Sequence, residues 1–347
     1  MSDKTMDWKT RWQSALIEQH ALLFDYITKS IKFQFAETVN CPVCDSSRAA
    51  LFFEKDWFQY VKCQDCSMVY MNPRMNRAAT HAFYNSNVNA IYNETKFDQV
   101  SSSTELDDRI NFGNLKLIDK FRCGEKGTLL EVGSAKGFFL SKAREMGYRI
   151  YGLELNQANY KYSREKLGDT ILNVDLADAK FEDKKFDVVY MRDLIEHIPT
   201  PKSFLNEIGR ITKPGGIVFV ETHNIEGWIY KITRERHTVI FGFEHPNHWS
   251  PRTLAKALAQ HGFAVREVVH VSLDFTLRAI MDYLTEPGFT TVYPQPVGRG
   301  IRLFVRILRK LFSFKVIRWP DSHTLPYLAN LFRRGSIMKV IAQKLAN

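Results

Sequence analysis

From residue 128 onward the chain alternates short apolar runs with helix-length segments, and this alternation constrains the fold more than any other feature. Residues 128–132, 149–154, 170–174, 186–190 and 217–220 read as buried strands. Helical stretches over 136–146, 156–167 and 201–212 separate them, closed by Gly147, Gly168 and Pro214-Gly215-Gly216. A helix over 251–260 and a strand near 264–272 complete the unit. Parallel neighbours need crossovers of about a dozen residues or more. The pattern therefore predicts an α/β, doubly wound, mostly parallel sheet covered on both faces. The chain has no internal repeat.

A length of 347 residues predicts about two domains at roughly 150 residues each. With 45% hydrophobic and 25% charged residues, composition excludes a collagenous, low-complexity or wholly disordered chain. No apolar run reaches the about 18 residues of a membrane span. The start, MSDKTMDWKTRWQS, lacks a basic segment followed by an apolar one, so the expected compartment is the cytoplasm. The net charge of +10 is uneven, because residues 301–347 hold ten Lys/Arg against one acid, Asp321. The rest of the chain is close to neutral. That asymmetry predicts a local attachment to something anionic, not a broad nucleic-acid track.

Four of the five cysteines form two pairs, Cys41-Pro-Val-Cys44 and Cys63-Gln-Asp-Cys66. Two such turns can each present two thiolates to one tetrahedral zinc ion. Disulfides are the competing reading, and the absence of a secretion signal weighs against them. A four-cysteine zinc site has no open position, so its role would be structural, and the same ligands can hold iron. Cys123 stands alone and reads as a bland thiol. Around the cysteines, 58–61 and 68–71 look like short strands, and apolar residues at Trp8, Trp12, Leu16, Leu23, Tyr26, Ile27 and Ile31 predict one helix face over 8–31.

The first strand of the alternating region runs into Gly133-Ser-Ala135-Lys-Gly137 and then a helix. Small residues there allow a ligand close to the backbone, at the carboxyl end of the strand where such sheets bind ligands. A pyrophosphate would be repelled by Glu131, whereas a cationic amino-acid group would not. Glu154 closes the second strand and can accept two ribose hydroxyls. Asp175-Leu176 follows the third strand, placed for an adenine amino group and ring.

The ordered series LLEVGSAKG, YGLEL, VDLADAKF, FDVVYMRDLIEHI and ITKPGGIVFVETHN resembles the class I S-adenosylmethionine-dependent methyltransferases over about residues 127–272. Ala135 stands where that family usually has glycine. The resemblance implies a seven-stranded sheet and S-adenosylmethionine as cofactor, with Glu131, Gly133 and Gly137 framing the methionine part, Glu154 on the ribose, Asp175 and Leu176 at the adenine, and Ala135 and Arg192 also binding the cofactor. The cysteine segment, with its F-x-Y-V-K-C-Q-D-C-S-M-V-Y-M-N-P-R run, resembles the zinc module that precedes this domain in bacterial sugar C-methyltransferases. Those enzymes carry a further large C-terminal domain, whereas fewer than 80 residues follow residue 272 here. The implied acceptor is a sugar or glycan precursor, nucleotide- or lipid-linked. A methyltransferase of RNA or another macromolecule, and a non-catalytic binding protein on the same scaffold, are the alternatives.

Methyl transfer to a hydroxyl needs a base, for which histidine is suited near neutral pH. His197 follows the fourth strand. Glu244-His245 lies after the fifth, in a loop expected to roof the pocket, and a Glu-His pair at the equivalent place in the sugar C-methyltransferases is assigned to the base. His248 is expected to orient substrate or pack. Arg234 and His237 could meet an anionic group, although a solvated charge run is the blander reading. In residues 301–314, Arg302, Arg306, Arg309 and Lys310 share one helical face. Such a helix can lie on an anionic membrane or pack on the domain, and nucleic acid is a weaker third partner. The expected organisation is an N-terminal helix (1–40), a zinc-binding module (41–75), a helical connector (76–126), the methyltransferase domain (127–286) and a basic amphipathic helical tail (287–347). Through 299–347 the chain could sit on the inner face of the membrane.

Overall fold

The computed structural model describes residues 8–88, 90–91, 105–122, 124–272, 292 and 327–346. The chain forms two compact units, each assembled from three stretches. The sheet unit comprises Ser102–Thr222, Trp249–Val269 and Met338–Asn347. The cysteine unit comprises Met1–Ser101, His223–His248 and His270–Ile337.

The sheet unit is built on seven strands: β1 (Thr128–Val132), β2 (Arg149–Leu153), β3 (Ile171–Leu172), β4 (Phe186–Arg192), β5 (Thr212–His223), β6 (Phe263–Val271) and β7 (Ile337–Lys344). Their order is β3-β2-β1-β4-β5-β7-β6. The pairings from β3 through β5 are all parallel, as the alternation predicts. Strand β1 is buried at every position, because the sheet is covered on both faces. Leu115 and Ile118 of the helix Glu105–Asp119, and Phe139, Leu140 and Ala143 of the helix Phe138–Glu145, pack into one core with Leu129, Val188, Tyr190 and Phe219. The Phe139 ring stacks on Tyr190 with centroids 3.6 Å apart.

Strand β7 corrects the sequence reading of a helical tail over 287–347. Residues 337–344 are extended and lie between β5 and β6, with Met338, Val340, Ile341 and Ala342 buried. Two of the tail's cations serve the sheet unit: Lys344 Nζ donates to the His261 carbonyl at 2.9 Å, and Lys339 Nζ donates to Asn114 Oδ1 at 2.7 Å. The cationic face formed by Arg302, Arg306, Arg309 and Lys310 lies outside the described residues, as does Cys123. The linear division into domains is also corrected. The segment 223–248 leaves the sheet unit after β5, and the connector 76–126 divides at Ser101 and Ser102.

In the cysteine unit, Ala49–Lys55, Phe58–Cys63, Val69–Met71 and Asn247–His248 form a four-stranded antiparallel sheet. The helix Trp8–Leu23 adds Trp12, Leu16 and Leu23 to a core shared with Phe58, Tyr60, Phe241 and Phe243. The expected helix over 8–31 stops at Leu23. Asp25 Oδ1 accepts the amides of Ile27 and Thr28 at 2.8 and 2.9 Å, an Asx turn that competes with helix. Lys29 takes a left-handed φ of 51°, and Phe24–Asp25 then pairs with Ser30–Ile31. Ile27, counted in the apolar stripe, is 93% exposed. Among the described residues no helix is long and apolar enough to cross a membrane.

Candidate functional site

The loop after β1 is shaped by backbone strain that glycine relieves. Gly133 and Gly137 have φ of +76° and +75°, and Ala135 between them also sits at +44°. A Cβ on Gly137 would lie 2.5 Å from Leu167 Cδ1 and 3.3 Å from Ser163 Cβ, so a side chain there would force Leu167 of the helix Gln157–Leu167 to shift, besides straining the left-handed backbone. The amides of Gly133 and Ser134 both donate to the Leu153 carbonyl at 2.9 Å, which ties the loop to the end of β2.

Glu154 fixes the same loop from the other side. Its Oε2 accepts the Ala135 amide at 2.7 Å and its Oε1 accepts the Asn156 amide at 2.6 Å. Burial raises the Glu154 pKa, and those two amides act against that rise. Each carboxylate oxygen has a second lone pair to offer a ribose hydroxyl. Asp175 is exposed and its Oδ1 accepts the Ala177 amide at 2.9 Å, while Leu176 beside it is buried.

Glu131 is the unusual group. It is buried, its Oε2 has no hydrogen-bond partner, and desolvation pushes its pKa well above the usual carboxylate range. The positive charge of Arg192 acts in the opposite direction. Burial also opposes the Arg192 charge, but Tyr190, Glu221, Asp193 and Glu131 around it hold its pKa above the ordinary arginine value. A buried carboxylate oxygen without a donor is costly. An ammonium group arriving there would satisfy it. The donor set thus fits the amino-acid end of S-adenosylmethionine, and Glu154 fits its ribose.

The histidine candidates fall in different units. His197, half-buried, ends a single 3-10 turn, Ile195–His197, in the sheet unit. Its neighbour Glu196 is fully buried, and burial, with Asp193 nearby, lifts its pKa to about 8. Thr222 Oγ1 donates to Glu196 Oε2 at 2.8 Å. Glu244 and His245 belong to the cysteine unit, where Pro246 and Asn247 are joined to that unit's sheet through Met71 and Tyr70. His245 Nδ1 lies 2.6 Å from the Val239 carbonyl. A carbonyl only accepts, so Nδ1 carries a proton. His248 is buried, and desolvation, aided by His223, Lys55 and His237, lowers its pKa to about 3. It is therefore a neutral packing residue, with ring centroids 5.0 Å from Tyr60. His237 is buried against Tyr230, with ring centroids 4.4 Å apart, and is not part of a solvated charge run.

The four cysteines converge as the spacing predicts. Sγ of Cys41 and Cys66 are 3.4 Å apart, those of Cys44 and Cys63 are 3.6 Å apart, and all four lie within 4.8 Å of one another. A tetrahedral ion with sulfur ligands at about 2.3 Å separates the sulfurs by about 3.8 Å. Each pair sits on a tight turn: Asp45 and Ser67 take φ of 61° and 67°, and their amides donate to the carbonyls of Cys41 and Cys63. The set can hold one metal ion.

Sequence reasoning missed a polar cluster under the helix Glu105–Asp119. Asn114 Nδ2 donates to Tyr190 Oη and Glu221 Oε2, both at 3.0 Å. Lys339 Nζ lies 3.6 Å from Glu221 Oε2, and Arg192 Nη1 donates to Asn111 Oδ1 at 3.3 Å. No local motif links these residues; only the strand order brings them together.

Residues 105–268 match the family model described as a methyltransferase domain. Among curated proteins, the chain is 33% identical over 115 residues to phosphoethanolamine N-methyltransferase 2 of Caenorhabditis elegans, covering 31% of this chain and 26% of that one. It is 31% identical over 109 residues to a ubiquinone biosynthesis O-methyltransferase of Azoarcus sp. (strain BH72), covering 29% of this chain and 47% of that one. The chain thus spans less than half the length of either relative. A solved S-adenosylmethionine-dependent methyltransferase from Archaeoglobus fulgidus aligns with a TM-score of 0.46 at 20% identity, over 73% of this chain and all of that one. Residues 105–268 thus carry the sequence pattern of a methyltransferase domain.

Proposed function

We propose that the protein uses this domain to transfer a methyl group to a small acceptor, a sugar or glycan precursor. The observation that carries the cofactor half of this reading is the buried, unpartnered Glu131 Oε2, with the positive charge of Arg192 acting on it. When bound, S-adenosylmethionine supplies an electrophilic methyl on its sulfonium. Glu131 accepts from the cofactor's ammonium and Arg192 neutralises its carboxylate. Glu154 accepts the ribose hydroxyls, Asp175 accepts from the adenine amino group, and Leu176 packs on the ring. Gly133, Ala135 and Gly137 keep the loop clear of side-chain bulk.

His245 Nε2 or His197 takes the acceptor's proton. The hydrogen bond from His245 Nδ1 to Val239 presets the tautomer a base requires. Glu244 supports His245 as the acid of the pair. The four cysteines hold a structural zinc ion that fixes the turns at 41–44 and 63–66. The sugar or glycan class is supported by the resemblance of the cysteine segment to the module of sugar C-methyltransferases. The cations at 302–318, together with exposed Leu331 and Phe332, favour attachment to an anionic membrane surface. Flotation with anionic liposomes checks that attachment.

Transfer of labelled methyl into fractionated lysate tests the acceptor. Label in nucleotide sugars or membrane glycolipids supports the reading. Label in RNA alone, or cofactor binding without any transfer, overturns it in favour of a macromolecular substrate or a binding protein.

A further inference from the structure

Four neighbouring strands of the sheet carry charges of alternating sign on one face. Register pairs Glu131 of β1 with Tyr190 of β4, and Arg192 of β4 with Glu221 of β5. Partners in a parallel register share a face, as do residues two apart on a strand. Glu131, Tyr190, Arg192 and Glu221 therefore face the same side, toward Asn111 and Asn114 of the helix Glu105–Asp119. Lys339 of β7 completes the row, 2.7 Å from Asn114 Oδ1 and 3.6 Å from Glu221 Oε2. Read along the sheet from β1 to β7, the signs are minus, plus, minus, plus.

We propose that Lys339 is a positioning residue for the amino-acid end of the cofactor. By holding Glu221 and Asn114, it leaves the Arg192 guanidinium available to Glu131 and to an incoming carboxylate. This inference rests on the cofactor reading given above. Without Lys339, Glu221 is a buried acid whose register partner and charge neighbour is Arg192. The guanidinium is then shared with Glu221, and both halves of the subsite lose their counter-charge. The residue reaches the row only because the chain's last strand inserts between β5 and β6.

The test compares two ligands that differ at one end. S-adenosylhomocysteine carries the ammonium and carboxylate, whereas 5′-methylthioadenosine lacks both. Calorimetric titration of the full chain should show Lys339→Met weakening S-adenosylhomocysteine about tenfold while 5′-methylthioadenosine binds as before. Lys339→Arg should restore the difference. The double variant Lys339→Met/Glu221→Gln removes both charges and should recover most of the lost affinity. That recovery keeps the test informative if the single variant folds poorly.

Equal weakening of both ligands, or no change in either, overturns the inference, as does a double variant no better than the single one. If the unsubstituted chain binds neither ligand, the cofactor reading fails, and this inference fails with it.

Discussion

In the sheet unit, two of the buried acids lie beside opposite charges: Glu131 with Arg192, and Glu221 with Lys339. In the cysteine unit, buried bases are surrounded mainly by rings and carbonyls. His20 stacks on Phe24 at 4.1 Å and lies 2.9 Å from the Asp56 carbonyl, and burial lowers its pKa to about 4. Lys55 Nζ donates to the Ile240 carbonyl at 2.7 Å, and burial brings its pKa down to about 8. The first arrangement sets a cation against each of these acids, where a zwitterionic cofactor end is to be met. The second suppresses charge and uses the imidazoles as packing groups. Burial of a titratable residue therefore does not mark a site by itself; the neighbours decide which purpose it serves.

The largest effect that would sharpen this contrast comes from the thiols. Replacing Cys41 and Cys63 with serine, or chelating the metal, should destabilise the cysteine unit by on the order of 10 kcal/mol. Calorimetry should then resolve an early transition, and elemental analysis should fall from one ion per chain to none. An unchanged single transition would show that no metal ion holds the cysteine unit together. In the sheet unit, Glu154→Gln removes a charged acceptor from both the loop and the ribose. It should weaken S-adenosylhomocysteine binding by about 2 kcal/mol, read as Kd.

Acid should act mainly on the cysteine unit. His248 and His20 have folded pKa values below their unfolded 6.5, so between about pH 6.5 and 4 the unfolded chain binds protons that the folded one does not. Stability is fully present above pH 6.5 and is lost as pH falls through that window. From pH 7 to 5 the loss from His248 alone is on the order of 2 kcal/mol. His248→Phe should flatten that dependence in denaturant titrations followed by tryptophan fluorescence. The smallest effect is at Ala135, whose left-handed φ of 44° costs an L-residue about 1 kcal/mol. Ala135→Gly should raise Tm by a few degrees, less the added freedom of glycine in the unfolded chain.

What the sequence disclosed and what it hid follow the range of the interactions involved. Strands β1, β2 and β4, the glycine loop and Glu154 were legible because their signals are local: apolar runs, turn residues, an acid at a strand end. The four-cysteine cluster was legible because its two turns are local and only their meeting is distant. Strand β7 was not, because Lys339, Gln343 and Lys344 interrupt its apolar residues within a cationic segment. Their charges make sense only beside Asn114, Gly215 and His261. The end of the first helix was misread because Tyr26 and Ile27 continue its spacing, while Asp25 turns the chain aside.

The role proposed for Glu131 is to receive the cationic end of a bound cofactor. It is tested most directly by titrating S-adenosylhomocysteine into the protein and its Glu131→Gln variant between pH 5 and 8. Burial raises the Glu131 pKa in the free protein, and an ammonium ligand favours the ionised form. Binding should therefore release a proton and weaken as pH falls through that raised pKa, and Glu131→Gln should bind at least about tenfold more weakly with the pH dependence gone. Binding that is equally tight in the variant, or that strengthens toward pH 5, would show that Glu131 does not meet the ammonium.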